Sequence, residues 1–278
     1  MRIHQDYTHP ELLAEPDWLW EHRDDPKVHV IDCASLDRYQ RAHIPRAIGL
    51  PVHAWIKETE GGVHVMGPEA FADLMSRLGV SDDTTVITYD DFNTSFATRL
   101  WWVLNYYGHT DAKVLNGGWH RWVSEGQPVT FRETVPESGQ FTPRPNESII
   151  CRLDELMSKV SDPGVQILNV LPETFYRGIE NPFGNKRVGH IPGSLNLPIE
   201  QFFTSDDRHV FKPAAELQAS LTEAGLSPEN EIIVHCQAGI RTTVGFFVLA
   251  LLGWDRMRGY DAAMAEWANR DDTALVVE

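Results

Sequence analysis

Strand-like and helix-like segments alternate along most of the chain of 278 residues. Runs of β-branched and apolar residues predict strands at positions 28–33, 85–89, 113–115 and 231–235. Apolar residues at helical spacing predict helices at positions 36–41, 70–78, 96–107, 214–224 and 243–252. Strands that alternate with helices in this way form parallel sheets covered by helices on both faces. The pattern therefore predicts an α/β fold.

The same order of segments occurs twice, which indicates an internal duplication. The sequence His-Ile-Pro at positions 43–45 recurs at positions 190–192, at an offset of 147. Asp90, which follows the first-half strand, matches Cys236 at an offset of 146. A tryptophan near the end of each half keeps nearly the same offset. We therefore predict that the two halves are domains of one kind.

The two predicted domains meet in a segment without periodicity. Positions 131–148 are rich in Pro, Glu, Ser and Thr, a composition typical of a solvated linker. The predicted boundaries are therefore positions 1–130 for the first domain and 149–278 for the second.

A polar loop that begins with Cys236 separates a strand from an apolar helix in the second half. The amides of residues 237–242 have no strand partner there, so they can curl inward as an anion-binding nest at the positive end of the helix. A thiol held in such a nest is expected to favour its thiolate. Arg241 adds a guanidinium suited to oxyanions. These features favour a reactive cysteine over a small buried one.

The composition argues against some classes of binding partner and favours one cellular compartment. The formal net charge of −16 argues against nucleic acid and anionic membrane surfaces, because their phosphates repel an acidic protein. The longest apolar run, at positions 244–254, is shorter than the roughly 20 residues of a membrane span. Three scattered cysteines and a start without an apolar signal core favour a cytoplasmic protein. We expect a monomer or a weak oligomer.

Several independent motifs resemble the tandem-domain rhodanese family, the thiosulfate and 3-mercaptopyruvate sulfurtransferases. They are the repeated His-Ile-Pro element, the cysteine loop, the Gly-Gly-Trp-x-x-Trp ending of the first half, and Tyr260-Asp261 with Glu266-Trp267 in the second. The resemblance implies two rhodanese-like domains, an inactive first and a catalytic second. Asp90 at the position of Cys236 agrees with this division, because a carboxylate cannot carry sulfur and repels an anionic donor.

The chemistry expected of such a loop is sulfur transfer in two steps. Cys236 attacks the outer sulfur of a donor and keeps it as a persulfide, which cyanide or a thiol then removes. Arg241 orients the donor's oxyanion. The other loop residues expected to bind the donor are Gln237, Ala238, Gly239, Ile240 and Thr242. No cofactor is needed, and the histidines and cysteines show no close metal-ligand spacing.

An insertion at positions 178–188, present only in the second half, offers further contacts to substrate. Arg177 precedes it and Arg187 lies near its end, and the family is similar in placing anion-binding arginines near this segment. Both are predicted to bind substrate, with solvated surface arginines as the alternative.

The remaining candidates are expected to support the fold or the loop. His43 and His190 occur in both halves, so a structural role is predicted for them. The side chain of His235 is expected to point away from Cys236, because neighbouring strand residues face opposite sides. Asp261 is expected to position the loop, as a resembling Asp does in the family, although the following Ala-Ala-Met departs from the family's Gly/Ser-rich pattern. Cys33 and Cys151 are expected to be passive.

Three alternatives to a thiosulfate sulfurtransferase remain. A cysteine phosphatase is disfavoured, because four residues separate Cys236 from Arg241 where the phosphatase loop has five. A non-catalytic rhodanese-like interaction module is disfavoured by the presence of Cys236. The third is a 3-mercaptopyruvate sulfurtransferase, a group similar in having the loop Cys-Gly-Ser-Gly-Val-Thr. The guanidinium of Arg241 favours thiosulfate, a dianion that leaves as sulfite, although Thr242 could supply a hydroxyl for the other donor.

Overall fold

Each half of the chain forms a five-stranded parallel sheet in the computed structural model, which describes residues 6–50, 56–58, 62–206 and 208–277. The first sheet consists of β1 (Leu13–Ala14), β2 (Val28–Asp32), β3 (Ile48–Gly49), β4 (Thr85–Tyr89) and β5 (Ala112–Leu115). The second consists of β6 (Ile150–Cys151), β7 (Val165–Asn169), β8 (Leu195–Asn196), β9 (Glu231–His235) and β10 (Met257–Tyr260). The strands are arranged in space as β1-β5-β4-β2-β3 and β6-β10-β9-β7-β8. The two sheets therefore have the same topology. The predicted α/β fold and the duplication are confirmed.

Helices connect these parallel strands. Those of the first half are α1 (Pro16–His22), α2 (Leu36–Arg41), α3 (Pro68–Arg77), α4 (Ser95–Tyr106) and α5 (Gly118–Ser124). Those of the second half are α6 (Leu153–Lys159), α7 (Glu173–Tyr176), α8 (Ala214–Glu223), α9 (Ile240–Leu251) and α10 (Ala263–Trp267). Short 3-10 turns occur at Pro10–Leu12, Glu147–Ile149 and Ile199–Phe202. No helix in the described part of the chain is long and apolar enough to cross a membrane.

One helix boundary differs from its prediction in a way that matters for the site. Helix α9 begins at Ile240, three positions before the predicted start. Gly239 takes a left-handed φ of 79° and forms the N-cap, so the chain turns into the helix immediately after it. Arg241 therefore lies in the first helical turn and not in the preceding loop.

Two apolar helices join the halves. Residues 242–251 of α9 are buried on all sides, as expected for a helix enclosed between its own sheet and a neighbouring helix. That neighbour is α4, where the ring of Trp101 meets the ring of Phe247 edge-on with centroids 4.7 Å apart. The hydroxyls of Thr98 and Thr243 lie 3.0 Å apart at the same contact. A single hydrophobic core extends across this contact from one half to the other.

The repeated His-Ile-Pro element has the same structural role in both halves, as predicted. The His43 ring stacks on Tyr39 at 3.9 Å, and its Nδ1 is 2.7 Å from the Tyr39 carbonyl oxygen. The His190 ring stacks on Tyr176 at 3.8 Å, and its Nδ1 is 3.0 Å from the Tyr176 carbonyl oxygen.

The segment predicted as a solvated linker is held against the first half. The amide of Gly139 donates to the Ser76 carbonyl at 2.8 Å, and the amide of Arg144 donates to the Tyr107 carbonyl at 2.9 Å. The side chain of Phe141 is buried against Phe71. Most other side chains of positions 131–148 are exposed, so the segment is solvated on its outer side, while Phe141 and these hydrogen bonds hold it along the first half. The linker boundaries remain a prediction.

Candidate active site

Cys236 lies at the carboxyl end of β9, in the loop formed by residues 236–239, which we call the Cys236 loop. Ligand sites of parallel α/β sheets are found at this edge, where the strands end and the next helices begin. The side chain of Cys236 is buried, Gln237 and Ala238 are half-buried, and Gly239 is buried. Glycine is required at position 239, since a Cβ atom there would lie 2.3 Å from Oδ1 of Asp261 and the backbone φ is +79°.

The backbone amides of the Cys236 loop and of the first turn of α9 are available to an anion. Among the residues that the structure describes, the amides of residues 237–242 donate to no oxygen or nitrogen atom of the protein. The first N–H groups of a helix lack partners within the helix and carry a partial positive charge. These are the free amides that the sequence predicted, and the last of them lie inside α9. Binding of an anion to them remains a prediction.

The segment after β10 holds the Cys236 loop from the other side. The amide of Met264 donates to the carbonyl of Cys236 at 3.2 Å, and the amide of Ala265 donates to the carbonyl of Gln237 at 2.7 Å. Ala263 takes a left-handed φ of +52° so that these amides face the loop. The carbonyls of Cys236 and Gln237 are thereby held by amides from outside the loop.

Arg241 occupies the second position of α9, in the first helical turn after the Cys236 loop. Its side chain is 27% exposed, and its Nη1 is 3.3 Å from Oε1 of Glu200 in the 3-10 turn at Ile199–Phe202. Exposed ion pairs of this kind contribute about 0–1 kcal/mol, so the guanidinium can leave Glu200 for a doubly charged ligand. The acidic partner was not predicted, because nothing in the local sequence connects it with the cysteine.

The side chains of the other loop candidates divide into two groups. Gln237 forms a pair of amide hydrogen bonds with Asn185, at 2.8 and 3.0 Å. Ile240 is buried as the first residue of α9. Thr242 is buried, and its Oγ1 has no hydrogen-bond partner in the described part of the chain. Thr242 thus keeps a buried hydroxyl without a partner, whereas Gln237 is fixed by the insertion.

The insertion at positions 178–188 reaches the Cys236 loop through Asn185 and not through its arginines. Arg187 donates to the carbonyls of Thr273 and Trp267, at 2.6 and 3.0 Å, and so fastens the end of the chain. It also lines a small cavity together with Gln237. Arg177 is 43% exposed, and its Nη1 lies 3.6 Å from a carboxylate oxygen of Glu173. Neither guanidinium has a hydrogen bond to residues 236–242 among the described residues, and substrate binding by either remains a prediction.

Comparison with known proteins identifies the family. A family model described as the rhodanese-like domain matches residues 15–125 and again residues 152–270. The chain belongs to the rhodanese family. It is 35% identical to the sulfur carrier protein TtuD of Thermus thermophilus, over 95% of each chain. It is 31% identical to the thiosulfate sulfurtransferase of Corynebacterium glutamicum, over 95% of this chain and 90% of the relative.

A solved structure supports the same assignment. The crystal structure of SseA from Escherichia coli, a 3-mercaptopyruvate sulfotransferase, matches with a TM-score of 0.81 and 28% identity. The match covers 91% of this chain and 98% of SseA. The resemblance to the tandem-domain rhodanese family, inferred from the motifs, is thereby confirmed over nearly the whole chain.

The imidazole of His235, next to Cys236, and the thiols of the two other cysteines are uncharged at neutral pH. His235 is fully buried, and burial lowers its pKa to about 4, so it carries no charge at neutral pH. Burial raises the pKa of the Cys151 thiol to about 12 and that of Cys33 well above its usual value. These directions agree with passive thiols at positions 33 and 151.

Asp261 lies behind the Cys236 loop, with two cations that the sequence did not predict. Its Oδ1 is 2.6 Å from Nη1 of Arg99 and 2.7 Å from Nζ of Lys57. Arg99 belongs to α4, and Lys57 to a segment that precedes α3, so both come from the first half of the rhodanese. No local signal could have found them, because the charged residues are brought together only by the contact between the halves.

Proposed function

We propose that this rhodanese transfers the outer sulfur of thiosulfate to a thiophilic acceptor through a persulfide on Cys236. The Cys236 thiolate attacks the outer sulfur, one sulfur–sulfur bond forms, and the bond to the sulfonate group breaks. Sulfite leaves with the electron pair of that bond, so the negative charges balance. Cyanide or a thiol then takes the outer sulfur and regenerates the thiolate. Sulfurtransferase activity is what membership of the family supports; thiosulfate as the donor is our proposal.

The observation that carries the proposal is the set of free amides around Cys236. A sulfur atom on Cys236 bears a negative charge as a thiolate and again as a persulfide, and the amides of residues 237–242 are oriented by the loop and by α9 before either charge develops. Preorganised donors of this kind stabilise a developing anion without reorganisation. The loop thus favours the same charge in both steps of the transfer.

The position of Arg241 favours thiosulfate as the donor. Its guanidinium lies one residue after the start of α9, partly exposed and held by a weak pair with Glu200. Thiosulfate carries two negative charges close to the reacting sulfur, so a cation at the rim is expected to stabilise the departing sulfite more than a keto-acid thiolate. The names of the relatives in Corynebacterium glutamicum and Thermus thermophilus, a thiosulfate sulfurtransferase and a sulfur carrier, agree with sulfane sulfur carried by the protein.

The test is a comparison of initial rates with thiosulfate and with 3-mercaptopyruvate, with cyanide as the acceptor in both. We expect kcat/KM to be higher for thiosulfate. A ratio favouring 3-mercaptopyruvate by tenfold or more, about 1.4 kcal/mol of transition-state preference, rejects thiosulfate and leaves the persulfide in place. The likeness to SseA and the unpartnered hydroxyl of Thr242 make 3-mercaptopyruvate the competing donor.

A further inference from the structure

The first half contains a cavity at the crevice where sheets of this kind bind ligands. The chain runs from β2 to β3 on one side of the sheet and then from β4 to β5 on the other, and ligands bind outside the carboxyl ends of the strands at such a reversal. Asp32 ends β2, Tyr89 ends β4, and the two residues are partners in the sheet. Both line a cavity of about 350 Å³, which is within the range of small-molecule sites. We call it the β2–β4 cavity.

The matching place in the second half is filled by the insertion at positions 178–188. Four matching positions line the cavity in both halves: Ala34, Arg38, Asp91 and Trp119 in the first, and Leu171, Phe175, Gln237 and Met264 in the second. The insertion adds further lining residues, among them Asn181, Phe183 and Asn185, and the volume that is left is about 20 Å³. The first half lacks the insertion, so the same fold leaves room for a ligand there.

The buried floor of the β2–β4 cavity is acidic. Asp32 is 2% exposed, and its carboxylate accepts hydrogen bonds from the amide of Ala34 at 2.8 Å and from the hydroxyl of Tyr89. A carboxylate has about four lone-pair sites, so that of Asp32 can also accept from a ligand. The side chain of Asp91, 13% exposed, lines the same cavity. Burial raises the pKa of Asp32 to about 6; the hydrogen bonds from Tyr89 and Ala34 oppose this rise, and the charges of Asp91 and Asp90 add to it. A cation bound at the floor would relieve this repulsion between carboxylates.

The exposed rim of the β2–β4 cavity is basic. Arg38 and Arg41 lie three positions apart on α2, on one face of the helix, and their side chains are 59% and 78% exposed. Arg38 pairs with Asp91, and Arg41 pairs with Asp37 at 3.1 Å. Ion pairs with so exposed a member are weak, so both guanidiniums can turn to a ligand. The half-buried indole of Trp119 also lines the cavity. The cavity thus offers carboxylates at its floor, guanidiniums at its rim and an aromatic ring beside them.

We propose that the β2–β4 cavity binds a small zwitterion of the class of the free α-amino acids. The ammonium group binds at Asp32 and Asp91, the carboxylate binds at Arg38 and Arg41, and the side chain of the amino acid contacts Trp119. A simple anion is repelled by the floor and a simple amine by the rim, whereas a zwitterion matches both charges. The inference does not depend on the proposed function, because it concerns a cavity of the first half.

The test is isothermal titration calorimetry of the rhodanese with L-serine, L-leucine and L-phenylalanine, three amino acids of increasing size. We expect at least one of them to bind at one site per chain with a Kd below about 1 mM. Its N-acetyl derivative, which lacks the ammonium, and its amine, which lacks the carboxylate, should each bind at least roughly tenfold more weakly. Absence of binding by all three amino acids at about 10 mM overturns the proposal. Equal binding of either analogue also overturns it.

Substitutions taken from the second half locate the site. Ala34→Leu and Arg38→Phe introduce the side-chain types that stand at the matching positions of the second half, where the same fold accommodates them. Each should weaken binding by roughly tenfold or more, because it removes volume or a charge from the cavity. Arg144→Met, at an exposed arginine that pairs with Asp82, is the control and should leave Kd within about twofold of the parent.

The outcomes of these substitutions decide the proposal. A parental Kd in folded Ala34→Leu or in Arg38→Phe places the ligand elsewhere and overturns it. A loss of affinity in Arg144→Met as large as that in Arg38→Phe overturns it as well, because the effect is then one of overall charge. Circular dichroism reports whether each variant is folded. If Ala34→Leu does not fold, Arg38→Phe decides by itself, since position 38 is exposed.

Discussion

The two halves of this rhodanese build the same loop at the same edge of the sheet and fill it differently. In the first half the carboxylate of Asp90 lies inside the loop, where Oδ1 accepts hydrogen bonds from the amides of Phe92 and Thr94 at 2.7 and 3.0 Å. Oδ2 accepts a third from the amide of Ala97 at 2.7 Å. In the second half Cys236 stands at this position, and the amides of residues 237–242 have no acceptor within the described protein.

The comparison shows that both halves present amides without backbone partners at this loop, whichever residue stands at its first position. Asp90 acts as a built-in anion: burial raises its pKa to about 6, and the amides of Ala97 and Phe92 oppose that rise. The first-half loop, residues 90–94, has five residues, whereas the Cys236 loop has four. The amides of the first loop are therefore satisfied by its own carboxylate, whereas those of the second have no acceptor in the described protein.

The largest expected effect is the loss of transfer on replacing Cys236. Cys236→Ser should lower sulfurtransferase activity by roughly a thousandfold or more, because a hydroxyl cannot carry sulfur, and should leave the fold intact. Mass spectrometry after incubation with thiosulfate should show about 32 Da added to the peptide that contains Cys236. Cys33→Ser and Cys151→Ser are the controls and should keep substantial activity. Added sulfur on Cys33 or Cys151 would contradict the assignment.

The next largest effect is expected at Arg241, the cation in the first turn of α9. Arg241→Ala should lower kcat/KM for thiosulfate by roughly 10- to 100-fold, the scale of one lost charge-assisted contact. Arg241→Lys should recover only part of this, since an ammonium lacks the planar fork. Glu200→Gln, which frees Arg241 from its partner, should leave kcat/KM equal or raise it. An Arg241→Ala variant with the kinetics of the parent would show that this guanidinium is a surface group.

A smaller effect, on stability and not on catalysis, is expected in the first half. Asp90→Ala leaves three amides without an acceptor, two of them buried, and should lower the free energy of unfolding by roughly 2 kcal/mol at pH 7. Activity per folded molecule should stay within about twofold of the parent. Urea titrations measure the first quantity and steady-state rates the second. An Asp90→Ala variant as stable as the parent would mean that the carboxylate does not hold the first loop together.

The pH dependence of this difference follows from the raised pKa of Asp90, which is about 6 in the folded protein. A carboxyl with a raised pKa binds its proton more tightly in the folded state, so its contribution to stability is fully present below about pH 4 and falls as the pH rises through 6. The gap in stability between the parent and Asp90→Ala should therefore be wider at pH 4 than at pH 7. A gap that widens with rising pH would contradict the stated shift.

The smallest expected effect is at the left-handed residue that follows the last strand of each half. Gly118 has a φ of +51° and Ala263 a φ of +52° at the matching position. Ala263→Gly should relieve the strain of a Cβ atom in this conformation and raise the free energy of unfolding by roughly 0.5–1 kcal/mol. Gly118→Ala is the reverse control and should destabilise, because its Cβ atom would lie 2.5 Å from the carbonyl oxygen of Asp90. Urea denaturation measures both, and a destabilised Ala263→Gly would contradict the account.

Much of the fold could be predicted from the sequence, because it depends on local patterns. Strand and helix periodicity, and the nearly constant offset between the halves, are properties of neighbouring residues and of the chain order. The prediction failed where an element is too short to show a period, as in the two-residue strands β1, β3, β6 and β8, and in β10, which is short and partly polar. It also missed β7, where Gln166 and Asn169 break up a five-residue apolar run. At the linker the composition could not show that Phe141 alone is buried within an otherwise largely exposed segment.

The candidate site divides in the same way. The sequence by itself determined Cys236, its free amides and Arg241, because a strand, a short loop and a helix follow one another there along the chain. The tertiary structure alone decided which charges surround them. Lys57 and Arg99 contact Asp261 across 204 and 162 positions of sequence, and Glu200 reaches Arg241 across 41. The contacts of Lys57 and Arg99 form only when the two halves pack along α4 and α9, and the pair of Glu200 and Arg241 forms within the second half when the 3-10 turn packs beside α9. No periodicity along the chain records either contact.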